Sequence, residues 1–123
     1  MTKTRRQQTG RWGEDAAARF LETKGARIVA RNVRTPYGEI DLIASRGESL
    51  AFVEVKTRTG MQFGFPEQGV TAKKLEHMTA AALFFITEHT EWSDCAWQLD
   101  VIAIQSPGVG GKVEITHFEN ITG

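Results

Sequence analysis

Two apolar stretches of this chain carry charge where a sheet strand normally excludes it. They are Gly38-Glu39-Ile40-Asp41-Leu42-Ile43-Ala44 and Phe52-Val53-Glu54-Val55-Lys56-Thr57-Arg58. Strand side chains alternate between faces, so Glu54 and Lys56 share one side and Val53 and Val55 the other. By the same rule Glu39, Asp41 and Ile43 share a face. The turn Arg46-Gly47-Glu48-Ser49 between the stretches favours a hairpin, which would bring Asp41 beside Glu54 and Lys56. Ionised groups in an apolar strand are costly unless they are paired or bind a metal.

Around this hairpin the pattern extends into one α/β domain. Ala16, Ala17, Phe20 and Leu21 recur at helical spacing between Arg11 and Lys24, and Gly25 stands where a helix-ending glycine belongs. Strands are expected at Arg27–Arg34, Glu39–Ser45, Leu50–Arg58, Trp97–Gln105 and Lys112–Phe118. A second helix runs from Val70 or Thr71 to Thr87, with Leu75, Met78, Ala82 and Phe85 on one stripe. The order α-β-β-β-α-β-β implies a mixed five-stranded sheet flanked by helices. With 123 residues, 41% of them hydrophobic, there is material for one core. Residues 1–8 read as a disordered basic tail and residues 9–123 as a single domain.

Composition narrows the function classes. The longest apolar-rich run, Met78–Ile86, is far short of the roughly 20 residues that span a bilayer. Met1–Arg6 is basic but is not followed by the apolar core of a signal peptide. Cys95 is the single cysteine, so neither an internal disulfide nor a cysteine-based zinc site is available. A reduced, cytoplasmic location is expected, with no membrane partner. Net charge is zero but unevenly spread. Residues 1–34 hold nine Lys/Arg against three Asp/Glu, and the remainder six against twelve. That basic segment either contacts phosphates, through Arg5, Arg6 and Arg11, or is a solvated helix face with a tail.

Converging carboxylates repel, and a hard divalent cation resolves the repulsion. Magnesium takes carboxylate oxygens and keeps several waters, so Asp41 and Glu54 are candidate ligands, with manganese as a substitute. Lys56 beside them could act on a water or on developing phosphate charge. The competing reading is a Glu54–Lys56 salt bridge on a half-exposed sheet with Asp41 as a solvated neighbour.

Asp41, twelve intervening residues and then Glu54-Val55-Lys56 resembles the PD-(D/E)XK nuclease signature. The longer runs around these residues are similar to the bacterial YraN-like family, related to archaeal Holliday-junction resolvases. The resemblance covers roughly residues 10–105. It includes Gly13-Glu14 and Ala17 in the first helix, Asn32, Lys73/Lys74 and Leu99-Asp100-Val101. Ile40 stands where the signature's name expects proline. The resemblance implies a restriction-endonuclease-like core, magnesium-dependent cleavage of DNA, and a homodimer acting on branched substrates. It makes Asp41 and Glu54 metal ligands, Lys56 the catalytic lysine and Glu14 an acid near the metal. The alternative is a non-catalytic module of the same fold that binds nucleic acid or a protein.

Other residues have two readings each. Glu14 also suits the dipole of a helix start. Arg58, Lys73 and Lys74 are phosphate contacts or ordinary surface residues. Asp100, inside an apolar strand, either bears on the active site or, the preferred reading, pairs with an Arg or Lys, and Glu39 is expected to be solvated. His77, His89 and His117 lack metal-ligand spacing and read as surface or packing residues. Trp12, Trp92 and Trp97 read as packing residues rather than stacking platforms. Met61–Pro66, bearing Phe63 and Phe65, reads as a loop folded onto the core, a substrate loop or a dimer contact.

Overall fold

The computed structural model describes residues 5–59, 70–106 and 112–122. Met61–Pro66 lies outside the described residues, as do residues 1–4. Helix α1 spans Arg5–Thr23, followed by β1 (Arg27–Thr35), β2 (Gly38–Arg46) and β3 (Ser49–Thr59). Helix α2 (Ala72–Glu88), a single 3-10 turn (Thr90–Trp92), β4 (Ala96–Ser106) and β5 (Glu114–Phe118) follow among the described residues. The five strands form one sheet in sequence order. β1–β2, β2–β3 and β4–β5 pair antiparallel, whereas β3–β4 is parallel. A parallel pair needs a crossover, and α2 lies within that connection. The expected element order and mixed sheet are thus the observed ones. The first helix begins earlier than its apolar periodicity suggested, taking in Arg5–Gln8 of the segment read as a tail.

Local chemistry sets the helix ends. α1 closes in a Schellman motif: Ala26 N–H donates to Leu21 O and Gly25 N–H to Glu22 O. That motif needs a left-handed residue, supplied by Gly25 at φ 88°. α2 starts at Thr71, whose hydroxyl accepts from Lys74 N–H. Among the described residues no helix is long and apolar enough to cross a membrane.

The helices cover opposite faces of the sheet. Ala17, Ala18 and Leu21 of α1 pack on Leu42, Ala44, Val53, Ile102 and Ile104. Ala81, Ala82 and Phe85 of α2 pack on Ile40, Ile43, Leu50, Phe52 and Leu99. Ile40 and Ile43 therefore lie on one side while Leu42 and Ala44 lie on the other, so the alternation of β2 breaks at Asp41. Opposite this point Asn32 of β1 has a left-handed backbone, φ 51°, which asparagine tolerates better than most residues. The ladder pairs Arg31 with Leu42 and Val33 with Ile40 on either side of it.

Candidate metal centre

Asp41 sits where β2 and β3 part. Their ladder runs from Arg46↔Ser49 to Leu42↔Val53, beyond which β3 continues beside β4 alone. A fork of this kind strips backbone donors of their strand partner, and a buried N–H without one is expensive. The Asp41 carboxylate fills the gap: its Oδ2 accepts from Val55 N–H at 2.8 Å.

Two further carboxylates come to the same point. Glu14 from α1, Glu39 from the start of β2 and Asp41 each offer an oxygen, all within 4.8 Å of one another. The Asn32 side-chain amide ties two of them, donating to Glu14 Oε1 at 2.9 Å and to Glu39 Oε1 at 3.1 Å. The left-handed turn of Asn32 is what takes its side chain out of the ordinary pleat. Arg31 flanks the group, 2.6 Å from Asp15 and 4.0 Å from Glu14. Burial, with smaller repulsions from Glu54, Glu14 and Glu39 and against the opposing Val55 hydrogen bond, pushes the Asp41 carboxyl up to about 7. Such a group of carboxylates could hold a metal ion.

Glu54 and Lys56 stand on the neighbouring strand. Glu54, 16% exposed, pairs with Lys74 of α2 at 3.2 Å. It lies near enough to add to the negative field at Asp41. Lys56 is half-buried, and its ammonium is made easier to deprotonate by burial, against the attraction of Glu54 and with Arg58 and Lys74 adding repulsion. Asp41, Glu54, Lys56 and Glu14 thus occupy one electrostatic neighbourhood. The tight carboxylate group itself is Glu14, Glu39 and Asp41, and the immediate partner of Glu54 is a lysine.

The remaining expectations divide. Arg11, Arg58 and Lys73 are exposed, while Lys74 is half-buried beside Glu54. Arg5 and Arg6 fall in α1, but their side chains lie outside the described residues. Glu39, expected to be merely solvated, is exposed yet joins the cluster. Trp97 packs edge-on against Phe52 and Trp92 against the α2-side core, whereas Trp12 is 40% exposed. Asp100 does not find the expected Arg or Lys. Fully buried, it accepts from Gln98 Nε2, Asn120 N–H and His117 Nε2 at 2.8–2.9 Å. Lys24 Nζ lies 2.9 Å from His117 Nδ1. An ammonium can only donate, so Nδ1 accepts and Nε2 carries the proton shared with Asp100. Sequence reasoning missed this Lys24–His117–Asp100 chain and the bridging role of Asn32. The only sequence signals were a carboxylate in an apolar strand and an asparagine within the family resemblance.

A model of the Uncharacterised protein family UPF0102 matches residues 13–104. That span contains the carboxylate cluster, Glu54 and Lys56, while His117 lies beyond it. A UPF0102 protein of Desulfosudis oleivorans is 46% identical over 110 residues, covering 89% of this chain and 87% of its own. Those of Nocardia farcinica and Syntrophotalea carbinolica are 45% and 41% identical. They cover 84% and 89% of this chain, and 81% and 86% of their own lengths.

Proposed function

The chain belongs to the UPF0102 family, as the YraN-like resemblance implied, and from that membership and the carboxylate cluster we propose a metal-dependent nuclease that hydrolyses phosphodiester bonds in DNA. The observation that carries the reading is the meeting of Glu14, Glu39 and Asp41 within 4.8 Å, with the Asp41 carboxyl raised to about 7. Three carboxylates drawn from α1 and the first residues of β2 make an all-oxygen donor set. Such a set suits magnesium or manganese better than softer metals. Burial does most to raise Asp41 and the neighbouring carboxylates add to it; a cation would relieve that added repulsion.

In this reading Asp41, Glu14 and Glu39 would hold the cation, and Glu54, paired with Lys74 in the metal-free chain, would be the further ligand. When bound, the cation supplies Lewis-acid stabilisation of charge on a phosphoryl group. The protein's own groups do the rest. Val55 N–H fixes one oxygen of Asp41, and Asn32 holds Glu14 and Glu39 in register, so the site is preorganised. Lys56, whose ammonium is made easier to deprotonate by burial, can as the free amine take a proton from an attacking water, or as the ammonium donate hydrogen bonds to the phosphate.

The test is cleavage of labelled linear, flapped and four-way DNA in magnesium, manganese or EDTA. Cleavage is expected with either ion and none in EDTA. Asp41→Ala should abolish both metal binding and cleavage. Lys56→Met keeps the stem and removes the charge, so it should preserve folding and DNA affinity while lowering the rate by about a hundredfold or more. DNA binding without cleavage of any substrate would instead support a non-catalytic binding module.

A further inference from the structure

A cleft opens directly beside the carboxylate cluster, on the α2 side of the sheet. Glu39 and Glu54 form the wall it shares with the candidate metal centre. Its floor includes Phe52, which is fully buried, and Met78, which is half-buried. Its rim carries Tyr37 from the β1–β2 turn, together with Lys74 and His77 from the first turns of α2. Tyr37 is 51% exposed, with its ring edge-on to Phe84 at 6.4 Å. Lys74 borders both the cleft and Glu54.

An apolar floor, an aromatic rim and a lysine form a combination that binds a flat ring carrying an anion. A base stacked in a duplex shows a protein only its edge. A concave floor reads the face of a base only after the nucleotide has left the stack. We infer that this cleft receives one unpaired nucleotide next to the bond to be cut, its base against Tyr37 and over Met78 and its phosphate at Lys74. The inference rests on the nuclease reading and narrows its substrate to nucleic acid with an unpaired nucleotide at the site. Glu54 and Lys74 then serve together: the lysine neutralises the glutamate in the free protein and turns to the incoming phosphate.

The experiment uses the full chain in EDTA, so that binding is read without cleavage. Two DNA hairpins carry 2-aminopurine, one with it paired and one with it as a single-nucleotide bulge. The bulged hairpin should bind about tenfold more tightly, with its fluorescence quenched on binding. Tyr37→Ala, at an exposed turn position, should cut that preference to threefold or less while leaving affinity for the paired hairpin unchanged. His77→Trp, at an exposed helix position, should obstruct the rim and do the same, with melting temperature and circular dichroism verifying that both variants fold. Equal affinity for the two hairpins, or a preference that survives both variants, overturns the inference, as does failure to bind either hairpin. Cleavage in magnesium without any preference for the bulge would remove the cleft and leave the nuclease. Bulge-specific binding without cleavage in either metal would leave the cleft and remove the nuclease.

Discussion

Asp41 is a carboxyl whose folded state favours the proton. Its pKa, about 7 in the fold, stands above the 3.8 of an unhindered aspartate, so between those values the native chain binds more protons than the unfolded one. Stability from this group is complete below pH 3.8 and declines as pH rises through 7. The metal-free protein should therefore lose stability between about pH 4 and pH 8, and Asp41→Asn should lose much less. The amide still accepts from Val55 N–H but carries no charge to bury. At about pH 8 the variant should be more stable by roughly 1–3 kcal/mol, a gain discounted for the partial exposure of the site. Melting temperatures of both proteins across this range in EDTA check the expectation. A wild type that gained stability with rising pH would show that the Asp41 carboxyl titrates low. The Asp41 anomaly was legible in the sequence because a lone carboxylate in an apolar run has few cheap explanations. The companionship of Glu39 and Asn32 was not. It depends on a left-handed backbone at position 32 that strict two-residue alternation does not contain.

At the scale of elements, the site depends on how closely α1 lies on β3. Gly13 is buried where the helix crosses the strand, and a Cβ built there would overlap the Thr57 hydroxyl, with Thr57 Cβ at 3.2 Å. Thr57 is β-branched and cannot easily swing aside. Gly13→Ala should cost about 1–3 kcal/mol through overpacking, even though alanine is the better helix former. By lifting α1 it should also move Glu14, and so weaken metal affinity more than the loss of stability alone would require. Thr57→Ala in the same chain should restore much of both, which calorimetry with manganese would measure. Periodicity in the sequence marked the strands well, since their apolar runs are continuous and bounded by Gly and Pro turns. It placed the start of α1 too late, because Arg5–Gly10 lacks an apolar stripe and polar helical turns carry no periodic signal. The partner of Asp100 was equally hidden: His117 reaches it only because β5 pairs with β4.

Across the whole molecule, charge is divided rather than abundant. Zero net charge gives no general attraction to nucleic acid, but the excess of base over acid in residues 1–34 lies largely on α1 and β1, the elements that bring Glu14 and Asn32 to the site. If those residues meet phosphates, DNA affinity should fall steeply with salt. Replacing Arg5, Arg6 and Arg11 with Ala should lower the slope of log K against log salt by about 2–3, at roughly 0.9 for each phosphate no longer neutralised. An unchanged slope would assign phosphate binding to other residues.

The parallel seam between β3 and β4 bears on how the chain reaches this state. Its partners are remote in sequence, Ser49 with Ala96 and Thr59 with Ser106, whereas β1, β2 and β3 are joined by tight turns. Chain closure over a long span is entropically slower than hairpin formation, so the meander should assemble before β4 docks. Glu14, Asn32, Glu39 and Asp41 all precede that step. Until it happens, β3 is an uncovered edge carrying Phe52, Val53 and Val55, a strand open to pairing with another copy of the chain. Refolding yield, rather than the stability of the finished protein, is then the property that suffers first as concentration rises.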